Sequence, residues 1–327
     1  MKNMLKNNPR VAGVKRFLLG SRGKNGVVIS ALIYVMLISL GFIYLYPILH
    51  ILVNSLKSLP DLLDAAVQWV PTQITYDNYV QAFEVMKVNE TIIDTVAIAL
   101  IPALSQTISC AVIGYGFARY KFPGKKILLA LVLLTFIIPP YVLMIPTYTM
   151  YSDLKILGTI GTAVYPAILG QGMKSALFIM IFMHFFSLTP VALDEAARVD
   201  GAGELRIFAR IAMPLSIPAL IVSFLFSFVW YWNETFFTSL YMGGQNLGRS
   251  DAISTLLMEL DRFEQSYTGY LQSLSNSWAA GYMGDSVANE AIKMAATMVA
   301  MAPLLIVYLI LQRQFVESID RTGITGE

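Results

Sequence analysis

The sequence predicts an all-α membrane protein with six transmembrane helices. Three observations lead there. Of 327 residues, 56% are apolar or aromatic and only 13% are charged, against about a quarter charged in ordinary soluble domains. The mean hydropathy is +0.63, and a water-exposed fold so poor in charge would present wide apolar patches and associate. The apolar residues also gather into runs near the roughly 20 residues that a helix needs to cross about 30 Å of hydrocarbon.

Six such runs appear in order. The first is 27–53, too long for the apolar part of a signal peptide and lacking a small-residue cleavage site after it, so it is expected to stay as an anchor. The second is 92–117, with Asp94 near its start. The third is 127–144, and the fourth lies within 159–186 and contains Lys174. The fifth is 217–232, extendable to Tyr241, and the sixth is 291–311, with Lys293 close to its start.

The loops orient these spans. With the N-terminus inside, the inner segments 1–26, 118–126, 187–216 and 312–327 hold 16 Lys and Arg, and the outer segments hold 5. That bias favours both termini inside. The organisation expected is a basic cytoplasmic N-terminus at 1–26, a six-helix domain at 27–311 and a cytoplasmic tail at 312–327. Two outer segments are long. Residues 54–91 carry a turn-and-helix stretch at 77–83. Residues 242–289 carry Ile253, Leu256, Leu257 and Leu260, whose spacing predicts an amphipathic helix capped near Asp251. That helix serves either as a docking or gating element, or simply as cover for the bundle.

Composition excludes several classes. A single cysteine, Cys110, cannot build a disulfide framework, and with His50 and His184 it offers little for a metal cluster, so no metal site is expected. A net charge of +2 gives no basic face for nucleic acid. Each histidine falls in an apolar run and is expected to be buried and hydrogen-bonded within the bundle.

The inner loop 187–216 is more structured than a turn requires. Thr189 can cap a helix that opens at Pro190, where a missing N–H costs nothing. Leu193, Ala196 and Ala197 are expected on one face. Asp200, Gly201, Ala202 and Gly203 interrupt the helix, since glycine accepts the dihedrals of a sharp bend. A second helix should place Leu205, Phe208 and Ala212 on one stripe and Glu204, Arg206 and Arg210 on another. Pro214 and Pro218 mark re-entry into the membrane. Two short helices set at an angle form a rigid knob, as a mechanical linkage needs; a merely well-ordered connection is the plainer alternative.

At these residues a specific resemblance appears. Glu195-Ala196-Ala197, then Gly201, then Ile211-x-x-Pro214 with Met213 where leucine is usual, resembles the EAA loop of permease subunits of bacterial ABC importers. The longer string from Asp194 to Leu220 resembles the carbohydrate-uptake, MalG-like branch. So do Asn78-Tyr79, the stretch RYKFPGK from Arg119, Trp232-Asn233-Glu234 and the QRQF of the tail. The resemblance runs from about residue 27 to the end, with a longer outer loop at 242–289.

It implies a type I permease fold in the bacterial cytoplasmic membrane, with 187–216 as a cytoplasmic coupling-helix loop docking on a separate ATPase. The implied partners are a second homologous permease, two ATPase subunits, an extracytoplasmic solute-binding protein and membrane lipid. Glu195, Ala196, Ala197, Asp200, Gly201, Ile211 and Pro214 would form the docking knob. Glu195 would fix its register through a basic group on the ATPase. No cofactor is expected on this chain; ATP and magnesium would belong to the ATPase.

The sequence itself agrees with a non-enzymatic reading. A phosphate-binding loop needs G-x-x-x-x-G-K-[ST], and the nearest approach, Gly20 to Asn25, has the wrong spacing and Asn25 for the hydroxyl. No G-x-S-x-G is present. Candidate pathway residues are Lys174, which follows the helix-breaking Gly170-Gln171-Gly172, and Trp230, Tyr231, Trp232, Asn233 and Glu234 at the outer end of the fifth span. Aromatic faces stack on sugars, and the amide and carboxylate can bond hydroxyls. The bland alternatives are a snorkelling lysine and an interfacial aromatic belt. Three further readings stay open: a non-sugar solute, a secondary transporter coupled through an acid such as Asp94, and an inert membrane scaffold.

Overall fold

The computed structural model describes residues 24–243, 253–275 and 290–321, together with Leu18, Gly20 and Ser21. Most of the basic segment 1–26, residues 244–252 with the cap expected at Asp251, residues 276–289 and the last six residues of the tail lie outside the described residues. The chain divides into two compact units, Met1–Asn78 with Asn289–Ala295, and Tyr79–Ala288 with Ala296–Glu327.

In the first unit a short antiparallel pair, β1 (Gly20–Ser21) and β2 (Lys24–Asn25), precedes α1 (Val27–Ser55). Helix α1 has 29 residues and is apolar on all sides, the pattern of a helix covered by lipid or by another chain. His50 is exposed on it rather than buried, its Nε2 3.0 Å from the Asn54 amide nitrogen. The segment that follows is tightly organised. Helix α2 (Leu59–Leu63) is capped by Ser58. Asp61 accepts hydrogen bonds from both the hydroxyl and the N–H of Thr72. Lys57 donates to the carbonyls of Val67 at 2.7 Å and Gln68 at 2.9 Å. Asn78 donates to the carbonyls of Ser55 at 2.9 Å and Lys57 at 2.8 Å.

Helix α3 (Asp77–Val85) covers the predicted stretch 77–83. The second unit is built on α4 (Val88–Arg119), a single 32-residue helix containing the predicted span 92–117. The third run does not form one straight span. Helix α5 (Lys125–Ile137) turns by 95° into a 3-10 turn (Pro140–Leu143) and α6 (Met144–Asp153). The cause is Pro139-Pro140: neither residue has an N–H, and each pushes the residue before it toward extended backbone, as Ile138 shows with ψ 121.

The fourth run is also divided, into α7 (Gly161–Ile168) and α8 (Ser175–Leu188). The loop follows as α9 (Val191–Val199), α10 (Glu204–Ile207), a wide π turn (Phe208–Ala212) and α11 (Met213–Leu215). The wide turn lies just before Pro214, which cannot donate inside a regular helix. Then come α12 (Ile217–Asn233), α13 (Phe236–Met242), α14 (Leu256–Asp261), α15 (Phe263–Ser275) and α16 (Glu290–Arg321). Among the described residues three helices are individually long and apolar enough to cross a membrane, and six crossings result if each bent pair is one span.

The core of this unit lies between α4, α8 and α12. Phe178, Phe182 and Phe186 recur every fourth residue on α8 and are at most 1% exposed. They pack on the small Cys110 and Ala111 of α4, the close small-to-large fit that holds helices together where lipid competes equally for apolar surface. His184 points off this stripe and is exposed, against expectation, because three phenylalanines already fill the buried face.

Past residue 252, α14 is capped by Thr255, whose hydroxyl accepts from Met258 N–H, so the helix begins four residues later than an Asp251 cap would place it. Its buried side chains are Leu256 and Met258. The segment is fastened to α4: Asp94 accepts from Ser254 N–H at 3.3 Å, and Thr95 from Leu256 N–H at 2.9 Å.

Candidate functional site

Two sets of residues carry the chemistry expected of the chain. The first is the loop between α8 and α12. Its entry differs from the sequence expectation. Helix α9 starts at Val191, and Thr189 does not cap it; the Thr189 hydroxyl donates back to Phe185 O at 3.2 Å, closing the preceding helix. The faces differ as well. Asp194 and Ala197 are buried, while Leu193, Glu195 and Ala196 are exposed. Leu205 is 85% exposed and so parts from Ala212 of its expected stripe, which is buried together with Ile207. The buried face is set by a charged residue with a buried partner, not by the apolar residues of the loop.

The partner is Arg119, the last residue of α4. Its Nε lies 3.0 Å from an Asp194 carboxylate oxygen, an ion pair by distance, and both side chains are almost fully buried. Its other arm donates to Thr189 O at 3.0 Å. Across the loop, Arg198 forks onto Glu204 at 2.8 and 3.2 Å. The Tyr120 hydroxyl donates to the same carboxylate at 2.7 Å. The Arg198 bond, then the Tyr120 bond, hold the Glu204 carboxyl below the usual glutamate range. Burial and then the Glu204 contact push the Tyr120 phenol up to about 12.

Gly201 sits at φ +79 with open space where a Cβ would go, so its requirement is backbone conformation, not room. Asp200 caps the end of α9 through its N–H to Ala196 O at 3.0 Å. Ile211 is half-buried in the wide turn, and Pro214 is exposed. What remains outward is an apolar surface: Val191, Leu193, Val199 and Leu205 are 52%, 44%, 89% and 85% exposed.

The second set surrounds the broken span at 169–174. Gly170-Gln171-Gly172 does end the helix there, and Lys174 stands at φ 54 before α8. Three neutral groups close a ring around the break. Gln106 of α4 donates to Met173 O at 2.7 Å. The Tyr231 hydroxyl donates to the Gln106 side-chain oxygen at 2.8 Å and accepts from Met173 N–H at 3.1 Å. Ser109 adds a bond to Ala167 O at 2.7 Å. A Cβ on Gly172 would fall 2.6 Å from the Tyr231 oxygen and 3.0 Å from Ala167 Cα, so only glycine fits inside the ring. Backbone groups freed by a break at membrane depth need such partners.

Of the predicted pathway residues, the structure brings Lys174 and Trp230 together, with the ammonium 4.8 Å from the ring centroid. Trp230 in turn packs on Phe178 at 5.4 Å. Trp232 is buried against Phe228 and presents no open face. Asn233 donates to Val229 O at 2.8 Å, and Glu234 accepts from Phe237 N–H at 2.8 Å, so both serve the junction of α12 and α13. Gln106 and Ser109 were not singled out in the sequence; Tyr231 was, as an aromatic face for sugar, whereas its hydroxyl serves the ring at the break. The available signal was a glutamine inside an uncharged apolar run, a residue that has to find a partner there.

Comparison with known proteins agrees with this architecture. Residues 111–321 match the family described as the binding-protein-dependent transport system inner membrane component. The osmoprotective compounds uptake permease protein GgtD of Synechocystis sp. is 31% identical over 219 residues, covering 65% of this chain and 72% of the relative. The polygalacturonan/rhamnogalacturonan transport system permease protein YtcP of Bacillus subtilis is 26% identical over 284 residues, 87% of this chain and 93% of the relative. A crystal structure of a bacterial ABC transporter involved in the import of the acidic polysaccharide alginate superposes with a TM-score of 0.70 at 20% identity, over 88% of this chain and 96% of that one. With its core helices, its bent loop and its family match all in register, the chain is a member of the binding-protein-dependent transport system inner membrane component family.

Proposed function

We propose that this chain is the membrane-spanning permease subunit of an ATP-driven, binding-protein-dependent importer for a sugar or oligosaccharide. It works beside a second homologous permease, two ATPase subunits and an extracytoplasmic binding protein, with both of its own termini inside. Hydrolysis, with its ATP and magnesium, belongs to the ATPase subunits. Their closure draws the coupling loops together and turns the bundle between inward- and outward-facing states, the preference between states following the nucleotide. Glu195, Ala196, Asp200 and Gly201 form the docking surface, with Ala197 buried beneath it and Ile211 and Pro214 behind it; Lys174 and Trp230 border the substrate path.

One observation carries this reading above all. The loop 187–216 presents exposed apolar side chains on a knob whose inner side is tied down by a buried ion pair. A simple connection needs neither. The sugar assignment is supported by the family branch and by the relative named for polygalacturonan/rhamnogalacturonan transport. A secondary transporter is disfavoured because Asp94 sits within two turns of the start of α4 and is engaged with Ser254.

The test is Gly201→Ile. A β-branched residue at positive φ costs about 1–3 kcal/mol locally and projects into the docking face. Insertion into the membrane should be normal, while uptake and its coupling to ATP hydrolysis are lost. Retained uptake would remove the loop from the mechanism.

A further inference from the structure

The coupling loop meets the membrane helices through two bends. Between α8 and α9 the axis turns by 70°, and Thr189 and Pro190 are both extended, with ψ 132 and 128. On the other side the turn into α12 is 76°. A helix is stiff because its hydrogen bonds run continuously along it, and that ladder is broken at the extended joint. A push on α9 alone would therefore rotate the loop about its joints and leave α8 and α12 in place. An arm on two joints carries load only when a third member triangulates it.

We propose that the end of α4 is that third member, and that Arg119 and Tyr120 are the positioning residues that turn the loop into a rigid arm. The proposal rests on the importer reading above. Arg119 grips both sides of the first joint, Thr189 O before the bend and the Asp194 carboxylate after it, each at 3.0 Å. With the paired side chains 6% and 3% exposed, water cannot stand in for either partner. Burying such a pair seldom adds net stability over an apolar one, so its value lies in fixing geometry. Tyr120 holds the other leg through Glu204 at 2.7 Å, and Glu204 clamps Arg198 at the end of α9.

From Arg119 the helix runs without interruption to Gln106, about 20 Å away at the usual rise. Gln106 is bonded to the broken span through Met173 O. Loop displacement thus reaches the break along α4 as well as along α8.

The experiment reads the break directly. Gln171 is exposed and Cys110 is buried, so a cysteine introduced by Gln171→Cys takes an environment-sensitive fluorophore selectively. The labelled subunit is assembled with its partner permease and ATPases in nanodiscs and challenged with ATP and vanadate. The parent complex should respond. An Arg119→Met/Asp194→Leu double variant leaves no buried charge unpaired; it should assemble and hydrolyse ATP while the response falls about tenfold. Arg119→Lys keeps the charge against Asp194 and should restore about half of the response. Tyr120→Phe should lower it about twofold. A full-sized response in the double variant overturns the strut. Should the double variant fail to assemble, an undiminished response in Tyr120→Phe does so. A parent complex that hydrolyses ATP while its fluorophore stays silent overturns the importer reading instead.

Discussion

The two ends of the second half of α4 solve the same problem with different chemistry. At Arg119 the helix is fastened to its neighbour by a full ion pair. At Gln106 it is fastened by a carboxamide, a phenol and a backbone amide, none charged. The difference follows from depth. The Arg119 corner lies at a helix end beside exposed Arg198 and Glu204, where solvation and neighbouring charges reduce the cost of burying an ion. Gln106 lies mid-helix, where stranding a charge in hydrocarbon is far more expensive and neutral hydrogen bonds suffice. Strong fixation is placed where charge is tolerable, and reversible fixation where the backbone is broken.

This contrast can be broken at three points. The largest effect is expected from Asp194→Ala, which strands the buried Arg119; it should destabilise the subunit by about 3–5 kcal/mol, read as a lowered thermal midpoint in detergent. Next is Tyr231→Phe, which removes the hydroxyl that both donates and accepts at the break. A loss of about 1–2 kcal/mol is expected, with proteolytic nicking near Gln171 increased and the coupling corner unaffected. A loss equal to that of Asp194→Ala would erase the distinction between the corners. The smallest effect concerns the exposed Arg198–Glu204 pair. Its carboxyl is held below the ordinary glutamate value, so its contribution is complete above the unfolded value and fades only as pH falls through the lower folded one. Thermal midpoints should therefore be flat from pH 8 to 5 as far as this pair is concerned, with a Glu204→Gln difference that vanishes in stronger acid.

Much of the fold was readable because crossing a membrane imposes a length. The ranges 27–53, 92–117 and 217–232 each lie inside a helix with ends within a few residues. The break in the fourth run was announced by its two glycines. The bend at Pro139-Pro140 was equally visible in the letters, but an apolar run continues through it and masks the stop. The faces of the coupling loop were not readable. The spacing groups Leu193 with Ala196 and Ala197, and Leu205 with Phe208 and Ala212, whereas Leu193 and Leu205 are exposed while Ala197 and Ala212 are buried, and Asp194 turns inward because Arg119, distant in sequence, is there to meet it. Gln106 was missed, and the hydrogen-bonding part of Tyr231 with it, for the same reason: a single polar group in an apolar run has no periodicity, and its meaning lies in a partner on another helix.

The short stretch 169–174 bears one formal charge, Lys174, amid neutral partners. Carried through an entire membrane voltage, one elementary charge exchanges about 2.3 kcal/mol per 100 mV. A rearrangement confined to this stretch would sweep only part of that field. The electrical gradient that drives ion-coupled carriers therefore has little to grip in this stretch.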